Sequence, residues 1–281
     1  MYQYTVLQWI SFFIIYCLFG WIWETCYVSI KEKKFVNRGF MHGPWIPIYG
    51  SGAMIILLST IPVKHNLWLL YIFGMLGATV LELFTGILME KLFHVRYWDY
   101  TKCFCNFKGY ICLKSSLFWG LLSVLLIKFI HNPIENLVLR IPGGIRQIIT
   151  LILMAVFIYD FAISFKEAMD LRFMLEQLAE HNAERKRLLK KRLDVVSAVV
   201  MEDVEEFKEN VAEFKENVEE SIDYKMEELK WKLEAMQSTR EYKRIRNTLK
   251  RNPLKATERY KEVLQQMKDE LKVQFQEKKK K

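Results

Sequence analysis

Five apolar stretches crowd into the first 168 residues, at about 4–30, 47–61, 67–93, 111–130 and 145–165. A helix needs roughly 20 such residues to cross a hydrocarbon layer of about 30 Å. Inside lipid the backbone must satisfy its own hydrogen bonds, so helices are the expected form. The second stretch is short, carries Gly50 and Gly52, and reads as a half-broken span. The expectation is an all-α polytopic membrane protein with five transmembrane helices. The first apolar run lacks the basic start and small-residue cleavage site of a signal peptide.

Charge follows the same division. Residues 1–169 hold 14 Lys and Arg and 8 Asp and Glu, against totals of 41 and 32. The net charge of +9 is spread over loop clusters and a mixed-charge helix, which argues against a nucleic-acid partner. Cations follow the first span (Lys31, Lys33, Lys34, Arg38) and flank the loop after the third (Lys91, Arg96, Lys102, Lys108). By the positive-inside bias, these loops and the tail are cytoplasmic and the N-terminus lies outside the plasma membrane.

From Lys166 no Gly or Pro occurs before Pro253, so the fifth span is expected to continue as one long helix. Val204, Phe207, Val211, Phe214 and Val218 recur at heptad spacing, and the stripe continues to Met236. That is the pattern of a coiled coil and implies a homo-oligomer. The expected divisions are a transmembrane domain at 1–168, a cytosolic helix and coiled coil at 169–250, and an amphipathic segment with a basic tail at 251–281.

Two carboxylates, Glu24 and Glu82, fall inside membrane-length stretches. An ionisable group there is costly and usually faces a bundle interior or a water-filled cavity, although a structural ion pair is the plainer alternative. Next to Glu24 in the chain lies Asn37-Arg38-Gly39-Phe40-Met41-His42-Gly43-Pro44, with a planar cation and a group that titrates near neutrality. Asp99, Tyr100 and Asn106 form a second polar cluster on the same expected side, and Tyr49 begins the second span. These nine residues, Glu24, Asn37, Arg38, His42, Tyr49, Glu82, Asp99, Tyr100 and Asn106, are the expected lining of one cavity. The loop cysteines Cys103 and Cys105, with Cys112 and His94, match no standard zinc spacing, so neither a metal nor a cofactor is expected. No Walker A, GxSxG, HExxH or GxGxxG motif occurs, so the chain shows no ATPase or hydrolase signature of its own.

Ordered blocks between Phe19 and His131 carry a family resemblance. They include Trp23-Glu24, Asn37-Arg38-Gly39-Phe40, Pro47-Ile48-Tyr49-Gly50, Glu82-x-x-Thr85-Gly86, Trp98-Asp99-Tyr100 and Trp119-Gly120. The chain resembles the bacterial family described as putative ABC-transporter type IV permeases. The resemblance implies a small-solute permease component in the bilayer, with an ATPase subunit as its partner. Two other readings stand beside it: a membrane enzyme acting on lipid headgroups, and a scaffold in which the spans only anchor the coiled coil.

Overall fold

A computed structural model describes residues 4–63 and 65–201. Beyond these it describes Tyr224, Glu227, Trp231, Ile245, Thr248, Leu249, Asn252 and residues 254–256, 258–265 and 267–269. The chain divides into two compact units: Met1–Met169 with Thr248–Lys255, and Asp170–Asn247 with Ala256–Lys281.

In the first unit α1 covers Val6–Glu32, α2 Pro47–Thr60 and α3 Leu67–Phe93. α4 covers Leu113–Leu125, a wide turn Leu126–Ile130, α5 His131–Arg140, and α6 begins at Gly143. Thr5 and Gln8 close a reciprocal cap on α1, and the Asn66 side chain accepts from the backbone N–H groups of Trp68 and Leu69 to start α3. Four helices are long and apolar enough to cross a membrane: Val6–Glu32, Leu67–Phe93, Leu113–Arg140 and Gly143–Lys191. Large apolar side chains such as Trp68, Val80, Phe84 and Phe129 remain exposed along them, the surface expected of a protein whose solvent is lipid.

α2 differs from the four. Its 14 residues span roughly 21 Å at 1.5 Å per residue, short of the bilayer. The segment before it makes up length by turning back into the bundle. Met41 is fully buried, and the Ile46 N–H donates to the Cys17 carbonyl, well up α1 from its end at Glu32. α1 and α2 approach closely because a Cβ on Gly20 would overlap the Tyr49 ring, and one on Gly50 would meet Cys17 and Phe13. The core between the helices holds Phe12, Tyr16, Ile56, Leu57 and Leu70, and reaches Ile134 and Val138 of α5.

The loop expected at 131–144 is helical as far as Arg140. The His131 N–H bonds to the Leu126 carbonyl, one residue further back than in an α-helix. This π turn shifts the ladder just ahead of Pro133, whose missing donor then falls in the first turn of α5, where it is tolerated. His131, Ile134 and Val138 face inward from α5 at helical spacing.

α6 continues unbroken to Met201. Within the second unit Leu171, Met174, Leu175 and Leu178 are buried at i, i+3, i+4 and i+7. Tyr260, Val263, Leu264 and Met267 repeat that spacing and are also buried, and Lys186 meets Glu262 at 2.6 Å. The heptad stripe from Val204 to Met236 lies outside the described residues.

Candidate functional site

Glu82 stands a little past the middle of α3, where Val80 and Phe84 are exposed and another face meets α4. It is buried, and its carboxylate oxygens accept from Tyr100 at 3.0 Å, Ser115 at 2.9 and 3.1 Å, and the Trp119 indole N–H at 3.2 Å. Ser115 and Trp119 are one turn apart on α4 and present both donors to the same carboxylate. Gly86, one turn beyond Glu82, leaves room for the Tyr110 and Trp98 rings beside it.

Tyr100 reaches Glu82 because the loop after α3 is tightly tied. Glu90 holds Arg96 with two hydrogen bonds, at 2.5 and 3.2 Å, and Arg96 also donates to the Lys108 carbonyl while its guanidinium lies 4.7 Å from the Tyr110 ring centre. Asn106 is the hub of this loop. Its amide donates to the Thr101 and Cys103 carbonyls, and its oxygen accepts from the Gly109 N–H. Gly109 has a φ of +77°, and an added Cβ there would crowd Thr101, Asp99 and Arg96. Burial and the adjacent Glu82 carboxylate push the Tyr100 phenol above its ordinary value, so it stays a donor.

Glu24 is the second carboxylate. It accepts from the Tyr49 hydroxyl at 3.2 Å and lies 3.9 Å from the Arg38 Nε. The Tyr49 ring in turn sits 6.1 Å from the Trp119 ring, whose indole nitrogen donates to Glu82. Tyr49 and Trp119 therefore stand between the two acids, each bonded to one of them. Arg38 is positioned by its neighbours: its N–H points to the Thr25 hydroxyl, and Asn37 accepts from the Trp21 indole and donates to the His42 carbonyl.

A cavity of about 400 Å³ opens beside Glu24 and Arg38. Its walls come from Thr85 to Phe93 on α3, Phe40 and Ile46 from the re-entrant segment, Tyr97 and Trp98, and Phe161 and Phe165 of α6. Asn252 closes one side, donating to the Gly39 carbonyl at 3.1 Å. Glu24, Arg38, Asn252, Thr85, Tyr97 and Trp98 bring polar or charged groups to a wall that is otherwise aromatic and aliphatic, the ordinary constitution of a small-molecule site.

The nine expected residues thus divide. Glu24 and Arg38 line the cavity, and Tyr49, Glu82 and Tyr100 form the hydrogen-bonded network behind it. Asn37 and Asn106 shape their loops. His42 turns to α6, with Nδ1 3.0 Å from the Ser164 hydroxyl and Nε2 3.1 Å from Glu167, while Asp160 accepts from the His42 and Gly43 N–H groups. Asp99 accepts from Thr101 and from Lys255 at 2.6 Å. Partial burial pushes its carboxyl up, but the donors from Lys255 and Thr101 outweigh that and hold it below the usual value. Ser115, Asn252 and the aromatic walls from α6 were not foreseen. Ser115 looks like any helix-start serine until the fold sets it against Glu82, and Asn252 is some two hundred residues from the loop it touches. Among the described residues no cluster of His, Cys, Asp or Glu is arranged to hold a metal ion.

Four helices long and apolar enough to cross a bilayer define the class, a multi-pass membrane protein. Residues 11–165 match the family described as "Putative ABC-transporter type IV", and the chain belongs to that family. No curated protein and no solved structure matches it.

Proposed function

We propose that the chain is the permease-like component of a small-solute transport system, with its ATPase supplied by a partner subunit. The observation that carries this reading is the convergence of Glu24 and Glu82, from α1 and α3, on the Tyr49–Trp119 pair beside a cavity. A scaffold that only anchors a tail has no need of two hydrogen-bonded carboxylates on membrane-length helices, where an ionisable group is costly. For an enzyme acting on headgroups, Glu24 is the acid or base that the cavity wall offers, and it is engaged by Tyr49 and lies 3.9 Å from Arg38, while His42 faces Asp160 and Glu167.

In this reading α2 and the re-entrant 33–46 segment together make a fifth crossing. The N-terminus is then outside the plasma membrane and the tail in the cytoplasm, with the helical part at 169–250 joining copies of the chain. The cavity lining ends at Ile48 and Thr85, and packed Phe12, Ile56 and Leu70 fill the bundle toward the Thr60–Asn66 end. As a transport path it is open at one end only. Affinity capture from the native membrane in mild detergent tests the partner: an ATPase subunit in stoichiometric amount is expected. Capture that returns no nucleotide-hydrolysing protein, from cells in which the chain is abundant, overturns the ABC reading.

A further inference from the structure

Two thiols lie together beside the Glu82 network. The two-residue strands Asn106–Phe107 and Ile111–Cys112 pair antiparallel, with Asn106 opposite Cys112. The Asn106 amide donates to the Cys103 carbonyl at 2.9 Å, and the Leu113 N–H donates to the Cys105 carbonyl at 3.2 Å. This hairpin carries the Cys103 end of the loop to the start of α4, where the Cys103 and Cys112 thiols hydrogen-bond to each other. Cys112 is buried and Cys103 half-buried, so one sulfur is shielded and the other can be reached from solvent. Cys105, at a φ of +48°, is exposed. Among the described residues no third ligand completes a metal site with the pair.

Each of these cysteines is one hydrogen bond from a residue that donates to Glu82. The Cys103 N–H donates to the Tyr100 carbonyl at 2.8 Å, and the Cys112 sulfur accepts the Ser115 N–H at 3.4 Å as the N-cap of α4. Tyr100 and Ser115 in turn supply hydroxyls to Glu82, and those hydroxyls are 3.3 Å apart. A bond between the two sulfurs would tie the loop to α4 at that meeting point. In the orientation proposed above the loop is cytoplasmic, where thiols are kept reduced and a disulfide is transient or redox-sensing. Burial and the neighbouring Cys112 thiol raise the Cys103 thiol above its ordinary value, so the resting pair is protonated and its oxidation should quicken as pH rises.

We propose that Cys103 and Cys112 are an oxidisable dithiol pair, closed to a disulfide by a hydroperoxide, and that closure braces the loop that holds Tyr100 and Ser115 on Glu82. Cys103, the accessible thiol, attacks the hydroperoxide. Its sulfur bonds the terminal oxygen, the O–O bond breaks, and its proton leaves on the departing alcohol, or on water when the oxidant is hydrogen peroxide. Cys112 then attacks the sulfenic sulfur, the S–S bond forms, and the hydroxyl leaves with the Cys112 proton as water. Two thiols have lost two electrons and two protons, and the hydroperoxide has gained them. A thiol reductant reverses the change by exchange. The proposal goes beyond the transport reading, because it stands whether or not an ATPase partner is found.

Full-length protein in detergent, reduced and then freed of reductant, is treated with hydrogen peroxide, its remaining thiols are blocked, and it is digested with trypsin. Cleavage after Lys102, Lys108 and Lys114 leaves Cys103 and Cys105 in peptide 103–108 and Cys112 in peptide 109–114. A disulfide-linked pair of these two peptides is expected, at least tenfold above untreated protein, and faster to form at about pH 8.5 than at about pH 7. Cys105→Ser should keep the link. Cys112→Ser should lose it and leave Cys103 as a sulfenic acid that dimedone traps. Dithiothreitol should return both thiols. Hydrogen exchange of the 97–115 segment should slow at least threefold on oxidation in the native protein, and not in Cys112→Ser. Monodispersity and thermal transition serve as the folding checks. A link that disappears in Cys105→Ser overturns the proposal, as does the absence of a link while the exposed Cys105 is oxidised. So does a link that forms without slower exchange, since the sulfurs would then meet without bracing the loop.

Discussion

Replacing Glu82 by Leu removes the acceptor that three donors share. Tyr100, Ser115 and Trp119 all point at it, and the position is 5% exposed, so water does not replace it freely. The Ser115 and Tyr100 hydroxyls are 3.3 Å apart and can satisfy one donor between them. Two part-buried donors remain, one of them the Trp119 indole N–H. At about 1–3 kcal/mol for each, the substitution should cost about 2–6 kcal/mol. The diagnostic step is a second substitution. Trp119→Phe in the wild-type background deletes one hydrogen bond and should destabilise by about 1 kcal/mol or more. In the Glu82→Leu background it deletes an orphaned donor and should restore about 1–3 kcal/mol. Equilibrium unfolding in mixed micelles, followed by far-ultraviolet circular dichroism, reads all four proteins of the cycle. If Trp119→Phe destabilises both backgrounds equally, the indole does not depend on Glu82 and the network is incorrectly drawn.

Further outcomes follow from other parts of the molecule. Gly20→Val should disrupt the α1–α2 contact, since even a Cβ overlaps the Tyr49 ring, and a loss of about 1–3 kcal/mol should appear as a lower thermal transition. The Asp99–Lys255 anchor should be sensitive to acid. A carboxyl held below its usual value stabilises the fold above that value and loses its contribution as pH falls through the lowered one. Hydrogen exchange of the 248–255 peptide should therefore be flat from pH 7 to about 5, after correction for intrinsic rates, and rise below about 4. In Asp99→Asn the rise should vanish. For orientation, single cysteines at Asn66→Cys and Ser238→Cys in a cysteine-free background should differ: an impermeant thiol reagent should label only the first in intact cells. For the tail, full-length protein in detergent should scatter light as an oligomer, and Phe207→Lys with Phe214→Lys should reduce its mass toward one chain, since charge at two seam positions forfeits about 1.5–3 kcal/mol of burial each.

Much of the architecture was legible in the linear chain, because lipid imposes a length and a composition that show in one dimension. The extent of α1 and α3, the start of α6, the short second helix, and the presence of acids at 24 and 82 all follow from runs of apolar residues and their interruptions. The pairing of Glu24 with Arg38 was also within reach, since only 14 positions separate them and a Gly-rich segment turns between. Other features depended on three dimensions. His131–Arg140 stays helical because a π turn resets the ladder before Pro133, a backbone adjustment that composition does not encode. His42 looked like a cavity residue and instead binds Ser164, Asp160 and Glu167, because the buried Met41 and the Ile46–Cys17 hydrogen bond place the loop against α6. Glu82 takes its partners from positions 100, 115 and 119, and Asn252 meets Gly39 across 213 positions. Periodicity reports which face of a helix is apolar. It does not report which neighbour that face will meet, and the cavity is made from such meetings.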